Sequence, residues 1–259
     1  MSLVIAETLE EALMAVATGA RPVAGGTDLV VAARQSKHPL PPALVAIDRL
    51  AELSVMQRSD GDRYTIGSAV THASLLSDET VLGDYTALAD AAALIGSPST
   101  RNVGTLGGNV MNASPAMDTG GPLVVLGATV QLASSSGSRE VELPELWTAP
   151  GSTSAAPDEL CVSIDLPARS PRSGSAYIRL EYRRAMEIAV VGASASLSLR
   201  DDGTVDHVRV ALTAVAPTIV EVDGLDLAGE SVESAAEAAA AAATAGARPL
   251  SDLRASEQY

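Results

Sequence analysis

The sequence predicts an α+β fold, in which short strands and helices follow one another along the chain. Two observations near the N-terminus indicate a helix between strands: Thr8 and Glu11 have capping-box spacing, and apolar residues follow on one helical face. A third observation is the run SVESAAEAAAAAATAGA near the C-terminus, because alanine and glutamate favour helices. Alternating stretches between these helices, such as RYTIGSAVT, indicate strands.

The N-terminal elements form a unit of strand, helix, strand and glycine turn. The helix that begins after Thr8 ends at Gly19, since glycine disfavours further helical turns. The next strand, RPVAG, leads directly into a glycine-containing segment, AGGTDLVV, at residues 24–31. After LVAIDRL the pattern becomes richer in strands.

The middle and C-terminal parts contain more strands. RYTIGSAVT predicts a strand, HASLLSDETVL and YTALADAAALIG predict helices, and GATVQLASSSGSREVELPEL predicts a hairpin that turns at SSSGS. A loop is expected at GSTSAAPDE, and three strands are expected around 177–183, 189–199 and 205–216, with DDG between the last two. We place domain boundaries near 47 and 168, which gives domains of residues 1–46, 47–168 and 169–259.

Composition excludes several function classes. The net charge of −15 repels nucleic-acid phosphates, and a chain with no Phe and one Trp offers few stacking platforms for bases. Its single cysteine, Cys161, lies in the apolar run ELCVSIDLP and is predicted to be a buried strand thiol, so this chain builds no disulfide or iron–sulfur cluster. MSLVIAETLEEAL has no secretory n-region, and no membrane-spanning run follows, so we expect a cytoplasmic protein.

Two glycine pairs are the candidate ligand-binding features. Gly25-Gly26 follows a strand and Gly107-Gly108 follows a polar stretch, and the missing Cβ atoms would leave backbone amides open to an anion. Hydroxyls flank both pairs, which suits a diphosphate cofactor: Thr27, Ser99, Thr100, Thr105 and Ser114. Tight turns are the alternative role of each pair. Neither pair fits GxGxxG or GxxxxGK[ST], so a Rossmann fold is disfavoured.

The order of the motifs RPVAGGTDL, IGSAVTHASL and IGSPSTRNVGTLGGNVMNASPAMD resembles the flavoprotein subunit of the molybdenum hydroxylases. That group contains carbon monoxide dehydrogenase, xanthine dehydrogenase and aldehyde oxidase. PDELCVSIDLP and GSAYIRLEYRRAMEIAVVGASASL are similar to its transition into a C-terminal domain. The resemblance implies FAD held between two α+β subdomains of the vanillyl-alcohol-oxidase/PCMH type, followed by a small C-terminal α+β domain with an antiparallel sheet.

The resemblance also implies cofactor-binding residues. In the two glycine segments these are Ala24, Gly25, Gly26, Thr27 and Asp28, then Thr105, Leu106, Gly107, Gly108 and Asn109, with Ser114 as a further hydroxyl. Asp118 would hydrogen-bond the cofactor, although an acid at this position equally suits a helix cap. Arg179 stands where many relatives have a lysine near the flavin, and its alternative is an exposed strand arginine.

No catalytic acid, base or metal site is expected in this chain. No second histidine or carboxylate pattern accompanies His72, so we interpret it as a helix-start or surface residue and not as a proton donor. His38 and His207 are weaker candidates for a proton donor. Met186-Glu187 departs from the Gly-Asp or similar pair common in relatives. The chain stops at RASEQY, where the family usually continues into a further helix, so a truncated or disordered C-terminus is expected.

The function that the resemblance implies is electron transfer within a complex. A large subunit would hold the molybdenum cofactor and a small subunit two [2Fe–2S] clusters, and FAD in this chain would pass electrons to NAD⁺, oxygen or a quinone. Two alternatives remain open at this point: a stand-alone flavin-dependent reductase or oxidase, and a FAD-free relative that serves as a docking module.

Overall fold

The structure is a computed structural model that describes residues 2–35 and 38–259. Within them no helix combines the length and the apolar character that crossing a bilayer requires. The N-terminal region contains a three-stranded parallel sheet in the order β1-β3-β2. Its elements are β1 (Ser2–Ile5), α1 (Leu9–Ala17), β2 (Arg21–Val23), α2 (Thr27–Arg34) and β3 (Ala43–Ala46).

The predicted α1 is confirmed, because Thr8 Oγ1 accepts a hydrogen bond from the Glu11 amide as its N-cap. Ala12 and Val16 bury one face of α1 against the parallel sheet, in a core that also contains Val45. In this sheet, β2 ends at Val23, directly before the first glycine segment.

The central region is built around a five-stranded antiparallel sheet in the order β4-β5-β10-β6-β7. A separate two-stranded ribbon pairs β8 with β9, and β9 lies within the stretch expected to be a loop. The elements are β4 (Met56–Arg58), β5 (Tyr64–Gly67), α3 (His72–Leu75), α4 (Glu79–Asp84), α5 (Thr86–Leu94), α6 (Pro98–Arg101), α7 (Leu106–Asn112), α8 (Gly120–Val125), β6 (Thr129–Ser134), β7 (Gly137–Glu142), α9 (Leu143–Leu146), β8 (Trp147–Ala149), β9 (Ser152–Thr153) and β10 (Leu160–Leu166).

The core of this region lies between the five-stranded sheet and its helices. Ile164 on β10 pairs with Ile66 on one side and Val130 on the other, and all three side chains are fully buried. Leu88 of α5 and Leu106 of α7 belong to the same core. The predicted hairpin is confirmed as β6 and β7, while the stretch between residues 97 and 125 contains three helices, α6 to α8.

The C-terminal region is a four-stranded antiparallel sheet with a helix, which confirms the three predicted strands and the helix and adds a short fourth strand. The strands pair in sequence order, and the elements are β11 (Ser173–Leu180), β12 (Val191–Leu199), β13 (Val205–Thr213), β14 (Val220–Glu221) and α10 (Val232–Gly246). β11 begins and ends a few residues before its predicted position. Ala239 of α10 covers one face of the sheet, and α8 approaches the other at Gly121, beside Ser194 and Thr213.

Cys161 is a buried thiol in β10, as the sequence predicts. Burial, together with the charge of Asp165, raises its pKa to about 12. A thiol in this state has little thiolate at neutral pH and is therefore unreactive.

Candidate functional site

The first glycine segment, Ala24–Asp28, connects β2 to α2. Gly26 has a φ of 65° and is the N-cap of α2, and no side chain among the described residues caps this helix. The amides of the first helical turn have no partner within the helix, so an uncapped start leaves donors available to a ligand. The positive end of the helix dipole points the same way, which favours an anion.

The second glycine segment, Thr105–Asn109, is the first turn of a helix and not a loop. Thr105 Oγ1 accepts the Gly108 amide at 3.1 Å as the N-cap of α7. The remaining amides of this turn are also used: those of Leu106, Gly107 and Asn109 donate to the carbonyls of Val70, Ser68 and Thr105. The interpretation that both glycine pairs expose backbone amides therefore fits the first segment and is wrong for the second.

Close backbone packing explains why two of these glycines have no side chain. A Cβ on Gly25 would lie 2.0 Å from the carbonyl oxygen of Val103. A Cβ on Gly107 would lie 2.6 Å from the carbonyl oxygen of Ser68. No real Cβ tolerates such contacts, so both positions require glycine for packing within the protein.

The fold brings the two glycine segments together. Gly25 packs against Val103 and Gly104, the residues that immediately precede the second segment. A Cβ on Gly104 would lie 3.5 Å from both Thr27 Oγ1 and His72 Cδ2, and the His72 amide donates to the Gly104 carbonyl. We call the meeting point of residues 24–28, 103–109 and His72 the glycine junction.

The other predicted hydroxyls have local roles. Thr100 and Ser97 hydrogen-bond each other at 3.0 Å at the start of α6, and Ser114 Oγ accepts the Ala116 amide in a turn after α7. Thr119 Oγ1 donates to Asn109 Oδ1 at 2.6 Å and so links the second glycine segment to Asp118 through the chain. Asn109 remains partly accessible to solvent, which leaves its amide nitrogen free to donate.

Asp118 lies in a buried polar network with β11. Its carboxylate accepts hydrogen bonds from Tyr177 Oη at 2.7 Å and from Arg179 Nη1 at 2.8 Å. The expected helix-cap alternative is wrong, because the N-cap of α8 is Thr119 and none of the described side chains makes a cap bond to this helix. The exposed-arginine alternative is also wrong, since the Arg179 side chain is only 1% exposed.

Burial and the neighbouring charged groups act in opposite directions on the pKa values of Asp118 and Arg179. Burial raises the pKa of the Asp118 carboxyl, and the hydrogen bonds from Tyr177 and Arg179 oppose that shift. Burial alone would lower the pKa of Arg179, but Asp118 and Glu181 raise it above its ordinary value. Arg179 also lies 2.6 Å from Glu181, so the guanidinium is paired with two carboxylates. It is a paired cation and not a free one.

The sequence reasoning missed Tyr177 and Gly192. Tyr177 and Arg179 are two residues apart on β11, so both point to the same face and reach Asp118 together. Gly192 makes room for the tyrosine, because a Cβ there would lie 2.5 Å from Tyr177 Oη. The alternation along Tyr177, Ile178 and Arg179 could have indicated that the tyrosine and the arginine share a buried face. The register between β11 and β12, which brings Gly192 close to Tyr177, has no local signal in the sequence.

Met186, the predicted departure from the family pattern, has an unusual backbone. Its φ is 51°, in the left-handed region that favours glycine, and its side chain is exposed. The neighbouring Glu187 pairs with Arg183 at 3.2 Å. A glycine at this position would adopt the same backbone without strain.

Comparisons with known proteins agree with this architecture. Residues 1–169 match the family described as FAD binding domain in molybdopterin dehydrogenase, and residues 176–259 match the CO dehydrogenase flavoprotein C-terminal domain. The chain is 30% identical over 264 residues to the putative xanthine dehydrogenase FAD-binding subunit XdhB of Escherichia coli, covering 98% of this chain and 88% of the relative. It is 31% identical over 222 residues to the carbon monoxide dehydrogenase medium chain of Hydrogenophaga pseudoflava, covering 85% and 76%.

Solved structures are similar over the full chain. Carbon monoxide dehydrogenase from Hydrogenophaga pseudoflava superposes with a TM-score of 0.93 at 29% identity, covering 100% of this chain and 91% of that one. Quinoline 2-oxidoreductase from Pseudomonas putida 86 has a TM-score of 0.90 at 29% identity, covering 100% and 90%. The sequence resemblance and the predicted fold class are thereby confirmed, and this chain belongs to the FAD-binding flavoprotein family of the molybdenum hydroxylases, which are oxidoreductases.

Proposed function

We propose that the chain is the FAD-containing electron-transfer subunit of a molybdenum hydroxylase complex, passing electrons from [2Fe–2S] clusters to an external acceptor. The observation that carries this proposal is the glycine junction. There, an uncapped helix start at Gly26 is held against a second segment by the contact between Gly25 and Val103. Such a site suits a diphosphate, because helix-start amides solvate phosphate oxygens without a basic side chain.

FAD would lie between residues 1–46 and 47–168, with residues 169–259 as the third domain. Its diphosphate would sit at Ala24, Gly25, Gly26, Thr27 and Asp28, where backbone donors are open. Thr105, Leu106, Gly107, Gly108 and Asn109 would shape the opposite wall, and Asn109 and Ser114 would add side-chain contacts. Bound FAD supplies the redox chemistry, while the chain supplies position and electrostatics.

Asp118 and Arg179 would form the wall on the side of the C-terminal domain. Because Arg179 is paired with two carboxylates, its contribution is a fixed, oriented network rather than a lone positive charge. Tyr177 locks the other carboxylate oxygen of Asp118. The hydrogen bonds from Tyr177 and Arg179 fix the orientation of the Asp118 carboxylate, which is what positioning a cofactor requires.

Partner subunits would supply the other redox centres. One cysteine cannot provide the four thiolates that a [2Fe–2S] cluster needs, and the described residues contain no group of three or more potential metal ligands. A large molybdenum-binding subunit and a small [2Fe–2S] subunit would complete the complex. The acceptor would be NAD⁺, oxygen or a quinone, and the cytoplasmic location stays a prediction.

The proposal is tested by cofactor analysis and reconstitution. We expect FAD, in a ratio of one per chain, in the supernatant of the denatured protein, and no turnover of xanthine, aldehydes or carbon monoxide by the chain alone. Adding large and small subunits should restore bleaching of the flavin by substrate. Recovery of FMN, or the absence of flavin both from the complex and from chain incubated with excess FAD, would overturn the proposal.

Two further outcomes separate the alternatives. Turnover by the chain alone, at about 1–1000 per second, would indicate a stand-alone flavin enzyme. Stable association with the partner subunits without flavin would indicate a docking relative. Reduction of the flavin by NADH identifies a nicotinamide acceptor, whereas reduction by dithionite alone favours oxygen or a quinone.

A further inference from the structure

His72 is a buried side chain at the glycine junction that no assigned role explains. It is only 2% exposed, although the sequence suggested a helix-start or surface residue. It is indeed the first residue of α3, whose N-cap is Thr71. Its ring, however, lies inside the protein, so its polar atoms need an explanation.

The two ring nitrogens have different surroundings. Nδ1 is enclosed and has no hydrogen-bond partner among the described residues, whereas Nε2 is not enclosed in this way. Cδ2, the carbon bonded to Nε2, faces Gly104, and the Thr27 hydroxyl approaches the same glycine from the start of α2. The Nε2 edge of the ring therefore faces the glycine junction.

This arrangement selects a tautomer. A buried N–H without an acceptor is rarer in proteins than a buried acceptor without a donor, so the proton belongs on Nε2. Burial, reinforced by the nearby charge of Arg101, lowers the pKa of His72 to about 4 and keeps the ring neutral at physiological pH. The result is a single neutral N–H donor on the edge that faces the junction.

We infer that His72 is a ligand of the FAD diphosphate, donating from Nε2 to a phosphate oxygen held at the start of α2. Two independent observations meet here, namely the uncapped start of α2 and a buried imidazole whose only open polar atom faces it. The inference rests on the proposed function. It adds a side-chain donor from α3 to a segment that offers backbone amides and the Thr27 hydroxyl.

Three substitutions at His72 test the position of the donor. Glutamine places an amide nitrogen near the position of Nε2, asparagine places one near Nδ1, and leucine has none. We expect His72→Leu and His72→Asn to weaken FAD binding by roughly tenfold or more, as for loss of a hydrogen bond to a charged group, and His72→Gln to stay within about threefold. His207→Leu, at an exposed histidine, is the matched control and should bind as wild type.

The measurement is titration with FAD, in whichever form binds it, the purified chain or the complex. Unchanged binding in His72→Leu, or equal losses in the glutamine, asparagine and leucine variants, would overturn the inference. If wild type binds no FAD in either form, the proposed function itself fails, and the two failures are distinguishable.

Nitrogen NMR of the three histidines gives a readout that a merely structural role would not change. We expect His72 to be the neutral Nε2–H tautomer at neutral pH and its Nε2 signal to shift on addition of ADP, which carries a diphosphate, but not of adenosine. A proton on Nδ1, or equal shifts with adenosine, would contradict the assignment.

Discussion

The guanidinium of Arg179 lies 2.8 Å from the carboxylate of Asp118, and both side chains are almost fully enclosed. Removing one partner of such a pair leaves an uncompensated buried charge. For Arg179→Gln we expect a loss of about 3 kcal/mol in the free energy of unfolding, measured with urea.

The matched control for this variant is Arg183→Gln. Arg183 pairs with Glu187, four residues further along the chain, but its side chain is 66% exposed. Its removal should therefore lower the free energy of unfolding by less than about 1 kcal/mol. Equal losses in the free energy of unfolding for the two variants would mean that burial does not make the Arg179 pair more important for stability than the exposed pair.

Tyr177→Phe separates the hydrogen bond from the ion pair. The phenol donates to Asp118 at 2.7 Å, and its removal leaves Arg179 in place. We expect a loss of about 1 to 2 kcal/mol in unfolding free energy, smaller than that of Arg179→Gln. A loss larger than that of Arg179→Gln would show that the tyrosine, and not the ion pair, holds this network.

Gly25→Ala should disrupt the glycine junction, because the new Cβ would meet the Val103 carbonyl. We expect a lower melting temperature together with FAD binding at least about tenfold weaker, since the two segments can no longer meet. Gly83→Ala is the control: no atom of the residues that the structure describes lies within 4 Å of a Cβ there, and the position is helical, so stability should be unchanged or slightly higher. A Gly25→Ala variant with wild-type melting and FAD binding would contradict the packing of the junction.

Stability should fall as the solution becomes more acidic because of His72. Its folded-state pKa of about 4 lies below the unfolded value of 6.5, so the unfolded chain binds the proton first as the pH falls. Between about pH 7.5 and pH 5 we expect His72 to contribute a loss of roughly 2 kcal/mol. Urea unfolding of His72→Gln should lack this component, whereas His207→Gln should retain it.

Met186→Gly should stabilise the protein by about 1 kcal/mol, since it relieves a left-handed backbone at a non-glycine residue. The same change at Met14, an exposed residue within α1, should destabilise by a similar amount, because glycine weakens a helix interior. Melting temperatures that move in the same direction for both variants would exclude backbone strain at Met186.

Sequence patterns predicted those elements whose signals are local. α1 was delimited by Thr8 and Gly19, and the hairpin of β6 and β7 by its serine–glycine turn. The pairing of β10 between β5 and β6 was not predictable, because it joins residues far apart in the chain. The short helix α7 has no apolar period and depends on bonds such as that from the Leu106 amide to the Val70 carbonyl.

The sequence indicated candidate residues for the site but not their contacts. A glycine pair indicates that a Cβ is not tolerated, but the sequence does not say what occupies the space. At Gly25 and Gly107 the neighbour is the protein's own backbone, whereas at Gly26 the requirement is a left-handed cap. Arg179 looked equally suited to solvent because its partner, Asp118, lies in another domain of the predicted division.

The contact between Gly25 and Val103 also bears on how the protein folds. Residues so distant in the chain meet late, since closing a long loop costs entropy before any contact repays it. The start of α2 therefore cannot reach its final surroundings during synthesis until the segment around Val103 has emerged and packed. A ligand that needs both segments of the glycine junction is therefore bound only after the segment around Val103 has packed against Gly25.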